Sequence, residues 1–395
     1  MGRDLNVLVT CGRVSTAVPL VRALHVAGAR IDVADSYKLA PALHSNAADQ
    51  IQVVAPAARE PLRFAQDIAE IVRRRRIDLV VPAFEEGFFL ARYAELLAAP
   101  LFAPPFEAIV RLHDKARFMA LCRDLGLGTP ETKVVTSRAD LREAVGRFDQ
   151  FVARPAFSRG GTVYLTNHGP RAGERRIEDC EPTPDNPWLV QPYVDGEDGC
   201  SFSVARDGKV IVHCAYVPTI PAPGGFALQF TSIQDGGVLA VASKVCAELG
   251  YTGLIGFDYR RTRDGLVMME CNPRCTAGAF LVPPAWIEEA VLDEPAPRDQ
   301  RIAAAGQRRQ YDIYMLDTHL TGLPAHRLLH ELLTTPDAFM SPHDILPALF
   351  VLISRHHWHS VARREHIGFA QAYVGDVSWD GLPLPELPAG AVASP

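Results

Sequence analysis

Short apolar runs alternate with longer stretches of helical periodicity over the first hundred positions. Residues 6–10 read as a buried-type strand, 18–27 as an amphipathic helix, and 29–34 as a second strand ending at Asp35. Further strands at 50–55 and 77–83 flank a helix at 62–75. Strands alternating with helices imply βαβ units and a parallel sheet. The basic run Arg73 to Arg76 closes that helix, where cations complement the helix dipole, so it reads as a helix end and not as a binding patch. The first turn, Cys11-Gly12-Arg13-Val14-Ser15, invites a dinucleotide reading with Asp35 as ribose ligand. It lacks the GxGxxG spacing, which leaves a substrate-holding turn or plain tight packing as the alternatives.

From Pro104 onward the pattern changes. Residues 106–125 read as one helix ending at Gly126, with Lys115 near its middle, followed after Pro130 by a strand at 132–136 and a helix at 138–148. Residues 151–165 form two strand runs around Ser158-Arg159-Gly160-Gly161-Thr162. Adjacent glycines let the backbone approach a ligand and turn successive N–H groups toward phosphate oxygens. This is not a P-loop, because GxxxxGK[ST] is absent. Residues 188–198 then run from an apolar strand into the acidic loop Asp195-Gly196-Glu197-Asp198, a hinge that suits an adenine edge on its backbone and ribose hydroxyls on a carboxylate.

The most informative segment runs from Gly256 to Arg274. A hairpin folded about Arg263 and Asp264 sets Asp258 opposite Glu270, with Asn272 on the same face because strand side chains alternate with period two. Like charges directly opposite destabilise a sheet, so the pair makes sense with a cation between them. The oxygen-only donor set, without a His or thiolate cage, suits a hard ion such as Mg²⁺ completed by substrate phosphates. Arg274, two residues on, is positioned for phosphate charge. An ordinary hairpin with a charged outer face is the competing reading.

Taken in order, Lys115, Arg154-Pro155 with the 158–162 loop, Gln191-Pro192-Tyr193-Val194-Asp195-Gly196-Glu197, Asp258, and Glu270-Cys271-Asn272-Pro273-Arg274 resemble the ATP-grasp superfamily. The likeness covers about residues 106–290. It is greatest to the synthetase domains of the carbamoyl-phosphate synthase large subunit and related stand-alone ligases, which share Arg-Pro before the glycine loop. The resemblance implies an α/β chain, α+β within the ATP-grasp module, divided as a βαβ domain at 1–105, an ATP-grasp domain at 106–296 and a C-terminal domain with a flexible tail at 297–395. It implies that Lys115 and Arg154 contact ATP phosphates while Ser158, Gly160, Gly161 and Thr162 close over them. Gln191, Tyr193 and Val194 would hold adenine and Glu197 the ribose. Asp258, Glu270 and Asn272 would hold Mg²⁺, with Mn²⁺ as a substitute, and Arg274 and Arg154 would act on the transferred phosphoryl group. Gln191 replaces a hinge acid, and Asp258 stands where relatives often carry Glu or Gln.

The implied function is an ADP-forming carboxylate–amine ligase working through an acyl phosphate on a small carboxylic or amino acid. A carbamoyl-phosphate-synthase-like phosphotransferase acting on bicarbonate or another small acid and a non-catalytic ATP-binding module are the alternatives. Such chemistry needs a lid, for which the 158–162 loop and residues 218–230 are candidates, and His213 and Tyr216 either touch substrate or pack in the core.

Composition narrows the remaining classes. A chain of 395 residues, 48% hydrophobic and 22% charged, is globular with room for several domains. A net charge of -6 argues against a general nucleic-acid or anionic-membrane binder, and no apolar run spans a bilayer, so a cytoplasmic protein with small-molecule partners is expected, a homodimer being left open. The eight cysteines read as reduced thiols, with a redox or nucleophilic role for Cys271 and Cys275 as the competing reading. In the last hundred residues, 312–316 read as a strand, 325–333 and 345–354 as helices, 382–395 as a loose tail, and His356, His357, His359 and His366 as a solvated helix end in preference to a metal site.

Overall fold

The computed structural model describes residues 5–26, 28–158, 163–221, 227–316 and 321–387. Four short apolar strands, β1 (Asn6–Thr10), β2 (Arg30–Asp35), β3 (Gln50–Val53) and β4 (Leu79–Pro82), form a parallel sheet in the order β3-β2-β1-β4. Both faces of β1 are buried: Val7 and Val9 pack with helix Ala17–His25, and Leu8 packs with helix Pro61–Arg75. That two-sided burial explains why the strands read as continuous apolar runs. Arg75 on the second helix pairs with buried Asp32 at 2.8 Å, so the basic run is a helix end tied to the sheet.

A small antiparallel sheet follows, of β5 (Lys133–Val135), β6 (Phe151–Pro155), β7 (Leu165–Thr166) and β8 (Trp188–Pro192) in the order β5-β8-β6-β7. Its outer face packs on helix Arg138–Val145 through Ala153, Trp188 and Val190. The third sheet is the largest: β9 (Glu197–Arg206), β10 (Lys209–Pro221), β11 (Ala227–Ile233), β12 (Gly253–Thr262), β13 (Gly265–Asn272), β14 (Arg301–Ile302) and β15 (Arg308–Gln310). Its order is β13-β12-β9-β10-β11-β15, with β14 beside β10. Helix Gly236–Leu249 covers one face, while helix Pro284–Leu292 joins the other face to the N-terminal domain.

Residues near the C-terminus depart from expectation. Residues 312–315 are helical where a strand was expected, since Asp312 opens a turn in which the Met315 N–H reaches the Tyr311 carbonyl at 2.9 Å. The second helix runs from Leu346 to Glu365, so His356, His357 and His359 lie within it and only His366 ends it, with φ 53°. His357 stacks on Tyr37 at 4.6 Å, and the His359 ring lies tilted against Phe369 at 4.5 Å. Residues 382–387 are docked rather than loose, because Tyr93 donates to the Pro385 carbonyl at 2.8 Å and Leu384 and Leu387 pack around Tyr93. Among the described residues no helix is long and apolar enough to cross a membrane.

Candidate active site

The hairpin forms about Arg263 and Asp264, with Asp258 paired to Glu270 and Gly256 to Asn272. Gly256 is required there: a Cβ would lie 2.5 Å from Thr276 Cγ2 and 2.6 Å from the Ser201 carbonyl oxygen, forcing β12, which carries Asp258, away from β9. Asn272 Nδ2 donates to Asp258 Oδ2 at 2.9 Å. Glu270 Oε2 lies 3.2 Å from Arg154 Nη1 and 3.6 Å from Lys115 Nζ. Arg154 Nη2 donates to the Met269 carbonyl at 2.7 Å, and Arg274 Nη2 to Asn272 Oδ1 at 2.9 Å. The structure therefore assembles Lys115 and Arg154, distant in sequence, with Asp258, Glu270, Asn272 and Arg274 of the hairpin segment around one point.

Their electrostatics are uneven. Burial, reinforced by the Glu270 charge, pushes the Asp258 carboxyl above the usual range. Burial pushes Glu270 the same way, but Lys115 and Arg154 outweigh it and hold that group low and ionised. A cation between the two carboxylates would reverse the Asp258 shift and remove the repulsion. Among the described residues no three His, Cys, Asp or Glu groups form a complete metal cage. Two carboxylates and a carboxamide instead fit Mg²⁺, which ordinarily takes few protein ligands and fills its octahedron with phosphate oxygens and water.

Lys115 arrives by a route the hydrophobic pattern did not reveal. Residues 106–125 are two helices, Phe106–His113 and Lys115–Asp124, separated by extended Asp114. Asp114 caps the second by accepting from the Ala116 and Arg117 backbone N–H groups, which breaks the first helix and puts Lys115 in a first turn instead of mid-helix. From there Lys115 Nζ donates to the Ser158 carbonyl at 2.7 Å, at the entrance to the glycine loop.

Arg154 and Gln191 face the hairpin for a reason of register. Arg154 is paired with Leu189 and Val152 with Gln191, so all four occupy one face of the small sheet while Ala153 and Val190 occupy the other. Gln191 is 1% exposed, its Nε2 donates to Thr132 Oγ1 at 2.9 Å, and its Oε1 has no partner. Tyr193 lies beneath the Arg260 guanidinium, 5.3 Å from the ring centre, and the Val194 carbonyl accepts from Arg260 Nη1 at 2.8 Å. Glu197 is exposed at the start of β9. Ser158 Oγ donates to the Pro155 carbonyl at 3.1 Å, while Gly160, Gly161 and Thr162 lie outside the described residues.

Other expectations resolve into packing. Residues 218–221 and 227–230 continue β10 and β11, and the glycines of that second lid candidate lie outside the described residues. His213 is buried beside Ser203 Oγ at 2.9 Å, and burial pulls its pKa down to about 4. Cys271 and Cys275 are buried, which drives their thiols upward and disfavours the nucleophilic thiolate.

Sequence reasoning missed Phe84 and Glu85. They follow β4 at the carboxyl edge of the parallel sheet, where strand order reverses beside β1, and that rule could have marked them. The Arg274 guanidinium lies 4.5 Å from the Phe84 ring centre, with Nε 3.7 Å from Glu85 Oε1, so the N-terminal domain aims the final arginine of the site.

The small antiparallel sheet and the larger mixed sheet bring cations and paired carboxylates together in an arrangement similar to the ATP-grasp fold. Residues 112–278 match the ATP-grasp domain, and the chain is homologous to the carbamoyl phosphate synthase large chain. The large chain from Deinococcus radiodurans is 26% identical over 305 residues, covering 73% of this chain and 28% of the relative. The chain thus spans only about a quarter of the length of the curated relatives it matches, 22% and 28% for two of them. Among solved structures, N5-carboxyaminoimidazole ribonucleotide synthetase in its ADP complex aligns with a TM-score of 0.62 at 15% identity, covering 78% of this chain and 81% of that one. L-amino acid ligase from Bacillus licheniformis aligns at 0.56 and 14% identity, covering 76% of each chain. These likenesses establish the fold.

Proposed function

We propose that this protein is an ATP-dependent, ADP-forming ligase that joins a small carboxylic or amino acid to an amine through an acyl phosphate. The observation that carries the reading is the Asp258–Glu270 pair, with Asn272 beside it, facing Lys115, Arg154 and Arg274. Nucleotide binding alone would not call for paired carboxylates together with three cations at one end of the cleft. The ADP complex of the synthetase and the name of the L-amino acid ligase agree with this reading.

A carboxylate is a poor electrophile. Transfer of the γ-phosphoryl group to its oxygen releases ADP and converts the carboxyl oxygen into a phosphate leaving group. The amine then attacks the acyl carbon and inorganic phosphate departs. Lys115 and Arg154 bind the nucleotide phosphates, and Arg274 neutralises charge on the group in flight. Gln191, Tyr193 and Val194 take the adenine, Glu197 the ribose, and Ser158, Gly160, Gly161 and Thr162 cover the phosphates and exclude water. Asp258, Glu270 and Asn272 would hold Mg²⁺, which when bound supplies further charge neutralisation on the phosphate oxygens.

Incubation with ATP, Mg²⁺ and pooled acids and amines, read by mass spectrometry and a phosphate assay, tests the proposal. Amide, ADP and inorganic phosphate in equal amounts are expected. AMP as product, or a stable phosphorylated acid without amide, contradicts it.

A further inference from the structure

Thr132 precedes β5 and, since Lys133 is paired with Val190, lies beside Gln191 on β8. Its hydroxyl donates to the Pro130 carbonyl at 2.9 Å. A hydroxyl has one proton, so toward Gln191 it can only accept, and Gln191 Nε2 supplies that donor at 2.9 Å. The network therefore fixes which end of the amide faces Thr132. The opposite end, Oε1, is buried without a partner. A buried carbonyl oxygen lacking a donor is destabilising, and an incoming N–H group removes that deficit.

We propose that Thr132 is a positioning residue that locks the Gln191 amide as an acceptor and so makes this site select adenine over guanine nucleotides. The inference rests on the reading above that the nucleotide base lies against Gln191. Adenine carries an amino group at C6, which donates to Oε1, whereas guanine carries a carbonyl oxygen there and would set oxygen against oxygen. An unrestrained glutamine could turn its amide over and donate to guanine. With Thr132 present, that turn would bring Oε1 against a hydroxyl that could donate to it only by giving up the Pro130 carbonyl. A glutamate at this position would accept with either oxygen and need no lock; glutamine needs one. Because Oε1 is enclosed, the base enters with the small sheet drawn back from the large one.

Calorimetric titration of Mg²⁺ complexes of β,γ-imido ATP and GTP analogues tests this with wild type, Thr132→Val, Thr132→Ser and Gln191→Glu. Wild type is expected to prefer the adenine analogue by at least about tenfold, as sites built to hydrogen-bond a ligand group do. Thr132→Val lowers the preference about tenfold, with the guanine analogue gaining affinity, whereas Thr132→Ser, which keeps the hydroxyl, preserves it. Gln191→Glu keeps the preference and makes it insensitive to Thr132→Val. An unchanged preference in Thr132→Val, or loss of it in Thr132→Ser, overturns the proposal. Wild-type protein that binds neither analogue overturns this proposal and the ligase reading together. Selective binding that behaves as described in a protein forming no amide overturns the ligase reading alone.

Discussion

Two of the buried clusters of carboxylates and guanidiniums are built in opposite ways. In the N-terminal domain Arg13 spends its donors inside the fold: Nη2 on Asp35 at 2.5 Å, Nε on Asp35 at 2.8 Å and Nη1 on Asp376 at 2.6 Å, with Ser36 and the Tyr373 carbonyl as further acceptors. The Trp358 ring lies 4.9 Å from the guanidinium. At the hairpin, Asp258 and Glu270 are set against each other, Arg154 Nε has no partner, and Lys115, Arg154 and Arg274 point toward the same space. A closed network fastens segments of chain together; an incomplete one is set up for charge brought by something else. Asp35, the tempting ribose ligand, belongs to the first kind: both of its oxygens are engaged, by Arg13 and by the Tyr37 backbone N–H.

The sharpest way to break the contrast is substitution at the hairpin. Glu270→Gln or Asp258→Asn should lower turnover by at least about 10³-fold, the scale set by losing charge stabilisation in a closed site. Thermal stability should hold or rise for Asp258→Asn, because a like-charge pair has been relieved, and should fall for Glu270→Gln, which leaves Lys115 and Arg154 without their carboxylate. A variant retaining more than a tenth of wild-type amide formation refutes the assignment. Arg13→Met should do the reverse. Leaving Asp35 and Asp376 buried without their cation should cost about 3–5 kcal/mol in urea unfolding, with nucleotide affinity of the folded fraction unchanged. Weakened nucleotide binding at full stability would mean that the first turn takes part in the site.

His213 provides a smaller test of the closed kind. Its pKa is held near 4 in the fold against about 6.5 when unfolded, so the unfolded chain binds more protons between those values. Stability from this group is complete above pH 6.5 and lost as pH falls toward 4, by up to roughly 3 kcal/mol. His213→Gln should flatten that part of the profile, and an unaltered slope shows that other groups control it. Last, Lys115→Met should raise the dissociation constant for MgATP about tenfold with little effect on melting, since Lys115 in the proposed role would contribute one charge-assisted contact among several; wild-type affinity would remove it from the phosphate-binding set.

Much of this was legible in the chain. β1 was readable because both of its faces are buried, and the β12–β13 register followed from period-two alternation about Arg263 and Asp264. Lys115 was correctly singled out but wrongly set mid-helix, because the apolar period of residues 106–125 continues across Asp114, whose capping bonds depend on a local backbone choice that periodicity does not encode. Glu85 and Thr132 were missed for a different reason. Each matters only through a partner distant in sequence, Arg274 for one and Gln191 for the other, and sheet order and register bring those pairs together. The docking of residues 382–387 on Tyr93 was hidden in the same way, since a Pro-rich segment resembles a tail until its acceptors meet a donor.

Phosphoryl transfer at the Asp258–Glu270 hairpin is most directly tested by calorimetric titration of ATP into wild type and Glu270→Gln, with and without Mg²⁺. Mg²⁺ should strengthen ATP binding at least about tenfold in wild type and much less in the variant, because Asp258 and Glu270 would hold the ion and it would neutralise phosphate charge. Equal Mg²⁺ dependence in the two proteins would contradict the account.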